Sequence, residues 1–182
     1  MTYKLIRSKR KSIAIQVKNG ELIVRAPMKT PLSRIEEFIA KNTAWIEKHM
    51  NDTEDEDLMP ITPEEIRGLA DKALQYIPER VKYYASVMGV TYGRITIRNQ
   101  RSKWGSCSSK GNLNFNCLLM LTPPEVIDST IVHELCHLRE MNHSRRFYDL
   151  VLRYYPDYYK WNKWLKENGN TLIRRMELGA KK

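Results

Sequence analysis

The 182-residue chain has only three cysteines, Cys107, Cys117 and Cys136, and no two of them stand in a CxxC pair. An odd number without paired spacing excludes a disulfide scaffold and fits a reducing compartment, so a cytoplasmic location is expected. Long hydrophobic runs are also missing. The longest, Cys117–Leu121, has five residues, against the roughly 18 that a membrane span requires, so no membrane partner is expected. Bases near the N-terminus have no apolar stretch behind them, which argues against a signal peptide. Glycine is sparse at eight residues, and none belongs to a GxxxxGK[ST] phosphate cradle. Acids are scarce in places: residues 1–30 hold one acid against eight bases, and residues 80–124 hold seven bases and no acid.

What is present is a basic chain with a normal core. Lysine and arginine total 31 against 21 acids, a formal net charge of +10, and 42% of residues are hydrophobic. Five acids are concentrated in Asp52-Thr53-Glu54-Asp55-Glu56-Asp57, so the rest of the chain is more basic still. Such a surface attracts nucleic acid or another polyanion, and it is equally explained as a solvated basic face.

The spacing of apolar residues divides the chain. Ile13, Ile15 and Val17 alternate, Asn19-Gly20 follows, and Leu22 and Val24 resume the alternation before Pro27. Asn-Gly between alternating runs is a strong hairpin signal, because both turn positions need positive φ. Thr30-Pro31 opens a helix with Ile35, Phe38, Ile39, Trp45 and Ile46 on its apolar stripe. This gives a small hairpin and helix unit over residues 1–50, an acidic linker over 51–61 and a main body over 62–182. Thr62-Pro63 with Glu65 starts the next helix as a capping box, and Pro78 inside it predicts a kink or two consecutive helices before Gly89. A strand over 92–98 and a hairpin turning near Ser109-Lys110-Gly111-Asn112 come next, with Leu113, Phe115, Cys117 and Leu119 on one buried face. Thr122-Pro123-Pro124-Glu125 reads as another capping-box start. The last third is helical and aromatic, with Tyr154, Tyr155, Tyr158, Tyr159, Trp161 and Trp164 more suited to a core than to nucleobase stacking.

Residues 133–137 read His-Glu-Leu-Cys-His. On a helix, positions four apart differ by about 40° in direction, so His133 and His137 share a face one turn apart. Both imidazoles then reach one tetrahedral Zn²⁺, and Glu134 meets a water there as general base. His143 stands six residues past His137, a rotation of about 240° on a continuing helix. It becomes the third ligand if the helix ends, with Asn142 suited to the ending and Ser144 to capping a new helix. Glu140 is the rival, but on a straight helix it lies about 10.5 Å along the axis from His133. It is assigned to an outer hydrogen bond or a salt bridge. Cys136 faces away as a small core residue, and His49 is a remote surface residue.

The ordered set Lys103-Trp104-Gly105-Ser106-Cys107-Ser108, Gly111, Leu113-Asn114, His133-Glu134-Leu135-Cys136-His137-Leu138, then Asn142-His143-Ser144 with Phe147 resembles the YgjP-like family of predicted zinc metallopeptidases, which are similar to SprT-like proteases. The resemblance spans nearly the whole chain. It implies an α+β fold: a minimal zincin-like core, with a short, mainly antiparallel sheet packed on the HExxH helix and a second helix behind it. Two positions depart from the family pattern, Lys103 for the usual Arg and Tyr148 for a frequent Trp. Lys keeps the charge but loses the planar fork. The His-x5-His spacing also matches the metzincins, although their central Gly is Glu140 here.

These readings converge on a zinc-dependent peptidase with one Zn²⁺ per chain on His133, His137 and His143, Glu134 as base, and a protein or peptide substrate. Trp104, Gly105, Ser106 and Asn114 are candidates for substrate binding along a strand edge, or for packing in a turn. Arg145, Arg146 and Tyr148 are candidates for oxyanion contact, or for a solvated helix face. Two alternatives remain open: a metal-dependent phosphohydrolase acting on nucleotides, and a nucleic-acid-associated module whose zinc is structural and closed by a cysteine.

Overall fold

The computed structural model describes residues 2–18, 20–50 and 58–180, without the side chains at 18, 48 and 49. The turn residue Asn19, the side chain of His49 and the acidic run 51–57 therefore lie outside the described residues. The chain forms two compact units, Met1–Leu58 and Met59–Lys182.

The first unit is a three-stranded sheet covered by two helices. β2 (Ala14–Lys18) and β3 (Glu21–Pro27) form the expected antiparallel hairpin, with Gly20 at φ 70°. A strand that alternation does not reveal, β1 (Tyr3–Ser8), lies parallel to β3 and puts Leu5 opposite Val24. Its pattern is masked because Leu5 and Ile6 are adjacent and Arg7 occupies the position after Leu5 on the same face. Arg7 is accommodated by donating to the carbonyls of Pro27, Met28 and Thr30 at 3.2, 2.9 and 2.8 Å, which ties down the loop before the helices. The expected single helix is two, α1 (Leu32–Lys41) and α2 (Thr43–Met50). Asn42 interrupts it, its side-chain amide donating 2.7 Å to the Phe38 carbonyl in competition with the helical bonds. Leu22, Val24, Ala26, Ile35, Ile39 and Ile46 form the core. Phe38 and Trp45, expected on the buried stripe, lie outside it.

The second unit contains the α+β body. α3 (Pro63–Met88) starts with the expected capping box between Thr62 and Glu65 and ends at Gly89 in the left-handed region, φ 61°. It runs unbroken through Pro78 instead of splitting into two helices. β4 (Ile95–Arg98), β5 (Gly105–Cys107) and β6 (Leu113–Asn116) form a sheet in the order β4-β6-β5. The sheet is mixed where a mainly antiparallel one is expected: β5 and β6 form the antiparallel hairpin, but β4 runs parallel to β6. A short 3-10 turn, Cys117–Leu121, leads into α4 (Pro124–Cys136).

No capping box opens α4. Its cap is Pro123 without a side-chain bond, because the Thr122 hydroxyl instead donates 2.8 Å to the Leu119 carbonyl. α4 is apolar on nearly every side, with Val126, Ile127, Ile131, Val132, Leu135 and Cys136 all buried, as suits a helix enclosed by others. α5 (Arg145–Tyr154) and α6 (Tyr158–Gly179) pack against it. Arg80 pins α3 to α4 by a two-pronged contact with Asp128 at 2.9 and 2.6 Å, joined by the Tyr84 hydroxyl at 3.1 Å. Forked geometry and partial burial make this pair worth more than the ~0.2–1 kcal/mol of an exposed one.

Candidate metal centre

α4 ends where the spacing argument needs it to end. His137 is its C-terminal cap, and the next residues turn through bonds from Arg139 and Glu140 amides to the Cys136 carbonyl, each 3.0 Å. Arg139 fixes this turn by donating to the Met88 carbonyl at 2.6 Å and the Gly89 carbonyl at 3.3 Å, at the C-terminal end of α3. There a cation also meets the negative end of the helix dipole. Ser144 then caps α5, its hydroxyl accepting from the Phe147 amide at 3.3 Å. His143, in the connection between α4 and α5, is thereby returned to the other two histidines.

The three imidazoles converge. One nitrogen from each of His133, His137 and His143 lies within 4.8 Å of the others, and Nε2 of His133 is 3.0 Å from Nε2 of His143. Nitrogens bound about 2.0–2.1 Å from a tetrahedral Zn²⁺ stand about 3.3 Å apart, so the His133–His143 pair is already near that spacing and a small closing of the rings would suit the set to that ion. His137 Nδ1 faces the Glu140 carbonyl at 3.1 Å. A carbonyl only accepts, so Nδ1 carries the proton and the neutral ring keeps Nε2 bare for a metal. Glu140 therefore serves through its main chain, where its carboxylate was the candidate.

Beneath the three rings lies Phe147, fully buried, with its centroid 4.8, 4.5 and 4.8 Å from His133, His137 and His143. His133 Nδ1 meets the Tyr158 hydroxyl at 2.9 Å, and Asn162 donates to that same hydroxyl at 3.0 Å. Sequence reasoning places Tyr158 in a general aromatic core and does not single out Asn162. Their spacing of four is a helix-face signal, but nothing in the residue types points to a histidine 25 positions away. Burial pushes the His133 pKa down to about 3, helped by the neighbouring His137 and His143. Burial lowers that of His137 as well, opposed by the Glu140 and Met141 carbonyls. His133 and His137 are thus biased toward the neutral form that binds metals.

Glu134 is 5% exposed and faces β5. Burial raises its carboxyl to about 8, against the pull of the Lys103 cation and of the Cys107 amide, which donates to it. Gly105 is required here: a Cβ at that position would stand 2.6 Å from Glu134 Oε1 and 2.7 Å from its Cγ. Trp104 is held on the other side against Gly169 of α6, where a Cβ would come 2.8 Å from the indole ring. Trp104, Gly105, Thr130, Glu134, Tyr158 and Asn162 help line a cavity of about 180 Å³ that His133 also borders.

The remaining candidates are placed differently. Ser106 and Asn114 stand opposite one another in the β5–β6 pair, on the sheet face away from Glu134. The Asn114 amide donates to the Ser106 hydroxyl at 3.2 Å and its oxygen accepts from Arg98 at 3.1 Å, so these side chains do not line the cavity. Arg145 is 95% exposed and lies 4.0 Å from Asp149 on its own helix. Arg146 is also exposed. Tyr148 stacks on His143, with ring centroids 6.1 Å apart. Cys136 is fully buried in the core, and among the described residues no cysteine joins the ligand group. A set of three histidines leaves the fourth position open, as in catalytic and not closed structural sites.

β5 is also an edge strand. Trp104 and Ser108 make the main-chain bonds to β6, at 2.9 Å each. The alternate residues Gly105 and Cys107 therefore turn their backbone groups outward.

The chain matches the model of the YgjP-like family, described as a metallopeptidase domain, over residues 11–69 and 62–168. No curated protein matches it. Solved structures similar over part of it include two zymogens. One is the metallopeptidase zymogen jannalysin of Methanocaldococcus jannaschii, at 19% identity, covering 50% of this chain and 95% of that one with a TM-score of 0.46. The other is the metallopeptidase zymogen abylysin of Pyrococcus abyssi, at 16% identity, covering 50% and 93% with a TM-score of 0.45. No helix among the described residues is long and apolar enough to cross a membrane.

Proposed function

Because the chain belongs to the YgjP-like metallopeptidase family, we propose that it hydrolyses peptide bonds with one Zn²⁺ held by His133, His137 and His143 and with Glu134 as general base. The observation that carries this reading is the convergence of three imidazole nitrogens within 4.8 Å, with a buried carboxyl on the residue that follows the first of them on α4. When bound, zinc supplies a Lewis acid that polarises a carbonyl and acidifies water.

The chain's own residues do the rest. Glu134 takes the proton of the attacking water and returns it to the departing amine. Burial raises the carboxyl's hold on a proton while Lys103 and the Cys107 amide oppose it, and the nearby zinc, when bound, would add to that opposition. The outward backbone groups of Gly105 and the outward carbonyl of Cys107 receive an extended peptide as an added strand, the Cys107 amide being engaged by Glu134. One of its side chains enters the cavity between Trp104, Thr130 and Tyr158.

Replacing Glu134 by Gln keeps the size and the metal ligands but removes the base. Hydrolysis of an unfolded protein should fall by roughly 10²–10⁴-fold with zinc content unchanged. Wild-type turnover in Glu134→Gln would overturn the mechanism.

A further inference from the structure

A second concave site lies in the first unit, which contains none of the three metal-ligand candidates. It is a groove of about 500 Å³ between the loop before β2, the end of β3 and one face of α1. Arg34, Glu37, Phe38 and Lys41 supply the helix wall, at the i, i+3, i+4 and i+7 spacing of a single face. Lys11 and Thr30 stand across from them. Two properties define its chemistry.

The first is charge. Three cations face one carboxylate, Glu37, whose pKa is held low by the Lys41 ammonium at 2.7 Å and then by Arg34. The unit around the groove is itself basic, with eleven Lys and Arg against four acids in residues 1–50. The second is Phe38. It is apolar and half-buried, yet it is absent from the core that its neighbours Ile35 and Ile39 join. Its ring is a wall of the basic groove instead.

An acidic polypeptide would use the cations but has no need of an aromatic face among them. A nucleotide uses both, with phosphate on Lys or Arg and base on the ring. A base inside a duplex is stacked and cannot reach such a wall, whereas a single strand can splay one out. We propose that this groove binds single-stranded nucleic acid, one nucleobase lying on Phe38 and the flanking phosphodiesters on Lys11, Arg34 and Lys41.

The test uses the full chain and a fluorescein-labelled 12-nucleotide single strand of thymidines, followed by anisotropy between 50 and 200 mM salt. Three phosphate contacts predict that log K falls with log salt at a slope of about −2, since each contributes about 0.7 on a single strand. Arg34→Ala should weaken binding and flatten the slope by about 0.7. Phe38→Ala should weaken it about tenfold with the slope unchanged, and Phe38→Trp should retain it. Phe38→Leu keeps apolar bulk without a π face, so it also weakens binding and covers a folding failure of the alanine variant. Lys4→Ala, on strand β1 outside the groove, should leave affinity within twofold. Zinc content and peptide hydrolysis are read separately, so failure here leaves the peptidase assignment standing. The proposal is overturned by absence of saturable binding at 50 mM salt, or by a duplex of equal length binding as tightly. It is equally overturned if Phe38→Leu binds as wild type while polyglutamate competes at equal charge, which would make the groove a site for acidic chains.

Discussion

Gly105→Ala is the sharpest perturbation of the catalytic geometry, because it adds one carbon beside the base without touching a histidine. The new Cβ would sit 2.6 Å from Glu134 Oε1, 2.7 Å from its Cγ and 2.9 Å from its Cδ. Carbon–carbon contact is comfortable at about 3.5–4.0 Å, so strand and carboxyl must separate by about 1 Å. Neither yields cheaply. Glu134 is 5% exposed on a helix buried on nearly all sides, and β5 is bonded to β6. Overpacking of this kind costs about 1–3 kcal/mol of stability. The larger effect falls on chemistry, since a displacement of about 1 Å at a reacting group costs on the order of 10²-fold in rate. The assay is peptide turnover alongside zinc content and melting temperature for wild type and Gly105→Ala. Turnover should drop by about two orders of magnitude while zinc remains stoichiometric. A variant with wild-type turnover would refute the claim that Glu134, as positioned against β5, performs the proton transfers.

Two further outcomes follow from the surroundings of the histidines. Tyr158→Phe removes the hydroxyl partner of His133 Nδ1, so zinc affinity should fall about 10–100-fold in a chelator competition, while Tyr159→Phe, at an exposed ring, changes nothing; equal affinities would contradict the role. In the metal-free protein, His133 is lowered from 6.5 to about 3 and Glu134 raised from 4.5 to about 8. Below pH 4.5 the unfolded chain holds the extra histidine proton, so stability rises with pH. From 4.5 to 6.5 the two groups oppose each other, and His137, also lowered, adds to the rise. From 6.5 to 8 only the folded carboxyl holds its proton, so stability falls by at most about 1.4 kcal/mol per pH unit. Denaturant unfolding at pH 5.5, 6.5 and 8 measures this, and a decline above 6.5 that persists in Glu134→Gln would assign it to another group.

The sequence was most legible where chemistry constrains spacing. Two histidines four apart on a helix, a chain break that lets His143 return, and Ser144 as the new cap all follow from angles and capping preferences, and the geometry agrees. Capping at Thr62 and the left-handed Gly89 were equally readable. Tertiary competition defeated other readings. Thr122 has the residue types of a capping box but gives its hydroxyl to Leu119. Arg7 on the inward side of β1 hid that strand, and Asn42 split a helix whose apolar stripe looked continuous. The parallel pairing of β4 was invisible because alternation reports which face is buried, not which strand lies alongside. Within the site, Ser106 and Asn114 read as one motif with Trp104 and Gly105, but a strand sends alternate residues to opposite faces. Tyr158 and Asn162 carry no sequence signal for the site because their partner is brought close only by the packing of α6 on α4.

The central claim is a three-histidine zinc site, and metal content tests it most directly. Mass spectrometry on untagged wild-type chain should find one zinc per chain after reconstitution, and His143→Ala should lose it or bind it far more weakly. Zinc fully retained by His143→Ala would move the third ligand elsewhere, and a wild-type chain that binds no metal would contradict the account.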